Sequence, residues 1–165
     1  MLPLKVIQSN TKRAENAVER YGDAVFRLCS VMLGNRDDAL DAVQETFLKY
    51  ITKAPNFNDS EHEKAWLLRV ATNECKDVLR SRKRTDFLTL DDIKDLGVRD
   101  ENDAQVLVLL ASLDEKYREV IQLHYIEGYK IKELSQILGI TQATAKKRLQ
   151  RGRELLRRLT ETEAI

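Results

Sequence analysis

Lys146, Lys147, Gln150 and Arg151 recur at steps of three and four, so one turn of helix carries each pair above the next. Thr144 stands a turn earlier on the same side. An amide such as Gln150 can pair with a base edge, and lysine and arginine can hold phosphates. Ala145, Leu149 and Leu156 interleave with these residues and can face inward. The chemistry on offer is therefore the reading of duplex DNA through its major groove. The bland alternative is a helical hairpin with a solvated basic face. His62 and His124, far apart in the chain, match no nucleophile, metal or phosphate-loop pattern, so no catalytic group, metal or cofactor is expected.

The elements that must position this helix can be traced backwards along the chain. Leu134, Ile137 and Leu138 share one face of a preceding helix that starts near Ile131. Gly139 accepts the left-handed turn that a Cβ resists, Ile140 plugs the corner, and Thr141 is placed to cap the basic helix. Lys130 is a poor cap for the helix before it. Gly152, inside the basic helix, costs about 1 kcal/mol of propensity. Upstream, Leu113-Asp114 opens a helix to Ile126, with Val120, Ile121 and Leu123 inward, and Gly128 ends it. Val106–Leu110 precedes it in the same unit.

The front of the chain repeats helical spacing three times. Val18, Tyr21, Val25, Leu28, Cys29 and Met32 line a helix from Lys12 to Leu33, which Gly34-Asn35 ends. Asp37 or Asp38 opens a second helix to Lys53, stopped by Ala54-Pro55. Ser60-Glu-His-Glu63 has capping-box spacing and starts a third helix to Arg82, with Trp66, Leu67, Val70, Cys75, Val78 and Leu79 as its apolar set. No strand alternation and no internal repeat interrupts this pattern. The expected fold is all-α: two small helical domains, 1–84 and 103–165, joined by a flexible acidic linker over 85–102.

Composition agrees. Hydrophobic residues make up 42% of the chain and charged residues 33%, too apolar for disorder and suited to a helix-rich soluble protein. The net charge is only +1, which excludes a uniformly basic coat on nucleic acid. Charge is instead segregated. Arg69 to Arg84 and Thr141 to Arg158 are basic, and between them lie Asp86, Asp91, Asp92, Asp95, Asp100, Glu101 and Asp103. Two basic patches about an acidic connector suggest two contacts with one polyanion. Cys29 and Cys75 form no CxxC pair and read as buried free thiols. The opening residues are too short an apolar run for a signal peptide, and nothing reaches the roughly 18 apolar residues of a membrane span. A cytoplasmic protein without membrane insertion is expected.

Two further faces carry information. Asp38, Asp41 and Glu45 gather acid on one side of the second helix, and Gln44 and Phe47 add a polar and an apolar contact. That face suits docking against a protein, or it is simply solvated. On the third helix, Arg69, Asn73, Lys76, Asp77 and Arg80 form a stripe of cations, amide and carboxylate. Such groups can hold a single strand and meet the exposed edges of unpaired bases. Trp66 beside them reads as core.

Three stretches together resemble the extracytoplasmic-function sigma factors of bacterial RNA polymerase, over about Ala14 to Leu159. They are Gly34-Asn-Arg-Asp-Asp-Ala-Leu-Asp-Ala-Val-Gln-Glu-Thr-Phe-Leu48, Ala65-Trp-Leu-Leu-Arg-Val-Ala-Thr-Asn73 with Asp77–Arg84, and Leu113–Val120 followed by Tyr125-Ile-Glu-Gly128 and the helix-turn-helix. The resemblance implies that Asp38, Asp41, Gln44, Glu45 and Phe47 bind core polymerase at the β′ clamp helices. It implies that Arg69, Asn73, Lys76, Asp77 and Arg80 meet the −10 element as single strand, with the loop Phe57–His62 holding a flipped base. Thr144, Lys146, Lys147, Gln150 and Arg151 would read the −35 element as duplex, leaving Arg148 and Arg153 for phosphates or intramolecular pairs. It further implies contact with the β flap, an anti-sigma protein as regulator, and a linker running in a polymerase channel. No C-terminal regulatory domain is expected. A stand-alone helix-turn-helix regulator is the rival reading, and it leaves the first two motifs unexplained.

Overall fold

The computed structural model describes residues 3–81 and 100–163. Every element among them is helical. Helix α1 (Leu4–Leu33) ends where Gly34 turns to φ 65° and its N–H reaches Ser30 O at 2.9 Å. Helix α2 (Arg36–Lys53) follows at once, because the Asn35 side chain accepts from Asp38 N–H and caps it. Helix α3 (Ser60–Ser81) starts one residue after Asp59, whose carboxylate accepts from His62 N–H at 2.7 Å. The expected capping box at Ser60 therefore gives way to an aspartate cap one position earlier. The first helix also begins eight residues ahead of the Lys12 expected from the sequence.

These three helices pack against one another around Val25, Leu28 and Met32, Ala39, Ala42 and Tyr50, and Leu67, Leu68 and Ala71, all nearly or fully buried. Val18 was expected in that set but is 47% exposed; Tyr21 is buried as expected, and Ala14 and Ala17 turn inward with it. Phe57 fixes the α2–α3 loop. Its ring lies 6.1 Å from Tyr50 and 5.8 Å from Trp66, with the Arg13 guanidinium 5.2 Å from both the Phe57 and Tyr50 rings. Arg13 also donates to Pro55 O, and Tyr21 donates to Ser60 O. Trp66, expected as core, is half-buried and packs against the Tyr50 and Phe57 rings.

The second unit comprises α4 (Glu101–Ala111), α5 (Glu115–Ile121), a π-helical turn (Gln122–Ile126), α6 (Ile131–Leu138) and α7 (Gln142–Glu163). Asp100 caps α4 through the N–H groups of Asn102 and Asp103, so helix begins slightly inside the stretch read as linker. The acidic residues Asp86, Asp91, Asp92 and Asp95, and the basic Arg82, Lys83 and Arg84, lie outside the described residues. The single helix expected from Leu113 to Ile126 widens to π geometry, and His124 Nδ1 sits 2.7 Å from Tyr129 O at its end. Lys130 caps α6 only with its backbone, but Glu133 reaches back to accept from Lys130 N–H at 2.8 Å.

The two units touch. Helices α4 and α5 pack on α1, and α6 packs on α3, so the buried apolar residues of both units form one cluster. Nothing in the local patterns foretold this contact.

Gly152 has a packing cause. A Cβ there would stand 2.6 Å from Ile121 Cδ1 and 3.3 Å from its Cγ1, because α5 and α7 approach closely at that point. Ile121 is itself buried and has little room to move. Gly152→Ala gains about 1 kcal/mol of helix propensity but overpacks by about 2 kcal/mol. The substitution should therefore lower stability by about 1 kcal/mol in denaturant unfolding; a raised midpoint would show that the close approach is not limiting.

Candidate nucleic-acid interface

The turn between α6 and α7 forms as its residues dictate. Gly139 adopts φ 67°, and Ile140 N–H returns to Ser135 O at 3.0 Å. Thr141 Oγ1 accepts from Thr144 N–H at 3.1 Å and donates to Thr144 Oγ1 at 2.8 Å. The start of α7 is thereby closed, with Ala145 and Leu149 fully buried against the rest of the unit. Lys146, Lys147, Gln150 and Arg151 all point to solvent. Thr144 is half-buried and already occupied by the cap.

The other cations of α7 are mostly engaged. Arg151 pairs with Glu154 at 3.0 Å, and this hydrogen bond holds the Glu154 carboxyl below its usual range. Arg153 donates to Tyr125 OH at 2.9 Å. Arg148 turns inward to Glu119 at 3.5 Å. Of the two roles open to Arg148 and Arg153, both take the intramolecular one.

The stripe on α3 is less uniform than its spacing implied. Arg69, Asn73, Asp77 and Arg80 are exposed, with Arg80 and Asp77 3.4 Å apart. Lys76 is half-buried and reaches across to Glu119, Nζ to Oε2 at 3.1 Å, as an ion pair whose angles fall outside a hydrogen bond. Arg69 lines a cleft of about 430 Å³ with His62 and Trp66, and Tyr129, Glu133 and Gln136 form its opposite wall. The start of α3 therefore faces the helix-turn-helix. In the loop before it, Phe57 is locked among aromatic rings and His62 Nδ1 accepts from Asn58 N–H at 3.3 Å.

On α2, Asp41, Gln44 and Glu45 are exposed and Asp38 is half-buried. Phe47 departs from expectation: it is 8% exposed and belongs to the core. Its place on the outer face is taken by Leu40 and Leu48, 43% and 47% exposed. An amphipathic helix with this many apolar positions does not reveal from spacing alone which of them stay outside.

Sequence reasoning missed Glu119 and Glu127, whose side chains are each 1% exposed. Glu127 accepts a fork from Arg27, at 2.8 and 3.2 Å, and lies 3.6 Å from Lys64. Glutamates at these positions look like any solvated acid until the opposing helices are present.

A helical unit with an acidic and apolar face is thus joined in sequence to a helix-turn-helix with a solvent-facing basic helix. Residues 17–85 match the family model for sigma-70 region 2, and residues 103–156 that for sigma-70 region 4. The chain is 35% identical over 159 residues to the ECF RNA polymerase sigma factor SigW of Bacillus subtilis, covering 86% of this chain and 85% of that one. It is 31% identical over 154 residues to SigE of Mycolicibacterium smegmatis, covering 87% and 60%. Among solved structures it resembles CnrH in complex with the cytosolic domain of CnrY, with a TM-score of 0.72 and 26% identity over 96% of this chain and 94% of that one. The sigma factor RpoE of Bartonella quintana, in complex with the anti-sigma factor NepR, gives a TM-score of 0.72 at 25% identity over 91% and 98%. This chain belongs to the extracytoplasmic-function sigma factors, which initiate transcription and are not enzymes. No helix among the described residues is long and apolar enough to cross a membrane.

The Thr141 cap anchors the start of α7, so its loss should be felt directly. Thr141→Ala should lower stability by about 1 kcal/mol, while Thr141→Ser stays near the parent. Equal unfolding midpoints for the two variants would remove the cap from the account.

Proposed function

We propose that this chain is a dissociable subunit that brings core RNA polymerase to specific promoters, with the exposed basic face of α7 as the observation that carries the reading. Lys146, Lys147, Gln150 and Arg151 would enter the major groove of the −35 element, and Thr144 would act through the capped start of the helix. Arg69, Asn73, Lys76, Asp77 and Arg80 would hold the −10 element once it is single-stranded. Opening then follows from differential binding, because bases are captured when unpaired and not when stacked.

Asp38, Asp41, Gln44 and Glu45, together with the exposed Leu40 and Leu48, offer charge and apolar surface to the β′ clamp helices. The β flap would seat on the second unit, where a groove of about 340 Å³ is lined by Leu113, Tyr117, Leu155 and Leu159. An anti-sigma protein is a further partner, supported by the likeness to RpoE seen with NepR. A factor that serves core polymerase works in the cytoplasm. The domain ranges 1–84, 85–102 and 103–165 belong to the same proposal, supported by the region matches over 17–85 and 103–156.

Run-off transcription with core polymerase, with and without this chain, tests the reading beside a gel shift of the chain alone. Transcript only when both are present is the expected result. Tight duplex binding by the chain alone, with no effect on core polymerase, would instead favour the stand-alone regulator. Within the holoenzyme, Gln150→Ala should cost about 1–3 kcal/mol on the preferred −35 sequence and relax preference at one position. Lys146→Ala should weaken all sequences alike and reduce the salt slope of binding by about one.

A further inference from the structure

Glu119 and Glu127 are the only carboxylates of the second unit that, among the described residues, pair with cations of the first. Each is 1% exposed, and each draws cations from more than one helix. Glu127 takes Arg27 from α1 and Lys64 from α3; Glu119 takes Lys76 from α3 and Arg148 from α7. Lys76 belongs to the stripe read as a single-strand contact, and Arg148 belongs to the helix read as the duplex contact. A single carboxylate thus occupies one cation from each DNA-facing helix.

We infer that Glu119 and Glu127 form an intramolecular clasp that holds the two units closed and withholds Lys76 and Arg148 from nucleic acid, so that closure and DNA compete for the same cations. The inference rests on the reading of the α3 stripe as a strand contact. It goes beyond that reading by assigning the free chain its own inhibitor.

The physics favours a reversible clasp. Removing a carboxylate from water is costly, and the return depends on close, well-aligned partners. At Glu127 the alignment is good: the Arg27 fork makes two hydrogen bonds, which raise the Arg27 pKa and keep it charged. At Glu119 it is poorer. Burial pushes the Glu119 carboxyl above its ordinary value despite the opposing pull of Lys76 and Arg148. Closure also strands a polar atom. The Tyr129 hydroxyl is buried without a hydrogen-bond partner among the described residues. Tyr129 lies under Lys64, with Nζ 5.8 Å from its ring, and so sits at the seam between the units. Opening the seam would return this hydroxyl to water, where its missing hydrogen bond is made. The closed state therefore carries its own incentive to open, and a competing polyanion supplies the rest.

The test uses the full chain, with small-angle scattering for compactness and fluorescence anisotropy with a labelled single-stranded oligothymidylate for cation availability. Relative to the parent, Glu119→Gln/Glu127→Gln should show a larger radius of gyration and bind the oligonucleotide roughly tenfold more tightly, as expected when the competent fraction rises from about a tenth to near unity. Glu101→Gln removes charge outside the clasp and should change affinity by less than about twofold. The parent should expand as ionic strength rises from about 0.1 M to about 1 M, while the double variant should not. If the double variant loses its helical circular-dichroism signal, the salt response of the parent decides alone. A parent already as expanded as the double variant at low salt, or equal affinity of the two for the oligonucleotide, would overturn the clasp. Run-off transcription by the parent separates the two levels: transcript without compaction rejects the clasp alone, and no transcript rejects the functional reading beneath it.

Discussion

Two glutamates buried between two helical units are the constraint around which the molecule is arranged. A carboxylate at 1% exposure is stable only where cations surround it, and the cations here come from α1, α3 and α7. Satisfying Glu127 brings Arg27 and Lys64 to the second unit; satisfying Glu119 brings Lys76 and Arg148 together. The cleft between His62, Trp66 and Arg69 on one side and Glu133 and Gln136 on the other lies along the same seam. How much of each basic face is open to solvent follows from these pairings more than from the helices that carry it.

The same arrangement explains how a chain of net charge +1 can present a strongly basic helix. Acid is spent locally rather than averaged over the surface. Glu154 accompanies Arg151 and Arg158 on α7, and Glu119 draws Arg148 inward. What remains outward and, among the described residues, unpaired with acid at the start of α7 is Lys146, Lys147 and Gln150, two cations and one amide. On α2 the division is reversed, with acid and the apolar Leu40 and Leu48 outward. One chain thus keeps an acidic, apolar surface and basic surfaces on separate helices.

Close packing governs the details that propensity would get wrong. Gly152 is costly within a helix, yet a side chain there would collide with Ile121 where α5 crosses α7. Phe57 occupies a loop whose composition suggests freedom, yet Tyr50, Trp66 and Arg13 hold its ring. Phe47 has the helical spacing of a docking contact but faces the core, because Ala39, Ala42 and Tyr50 on the same helix define the inward side. In each case neighbours distant in sequence override a correct local tendency.

The sequence by itself determined the helices, most of their ends and the helix-turn-helix, since these depend on residues within a few positions of one another. Gly34 and Gly139 turn left-handed, Asn35 and Thr141 supply oxygen to orphan N–H groups, and apolar steps of three and four choose the buried face. The exposure of Lys146, Lys147, Gln150 and Arg151 was legible for the same reason, as their helix buries Ala145 and Leu149. Tertiary structure alone decided that Lys76 and Arg148 meet at Glu119, that Phe47 is core and Val18 surface, and that the two units share a seam. Those outcomes are set by desolvation and charge pairing between residues tens of positions apart, and no local pattern encodes the distance between them.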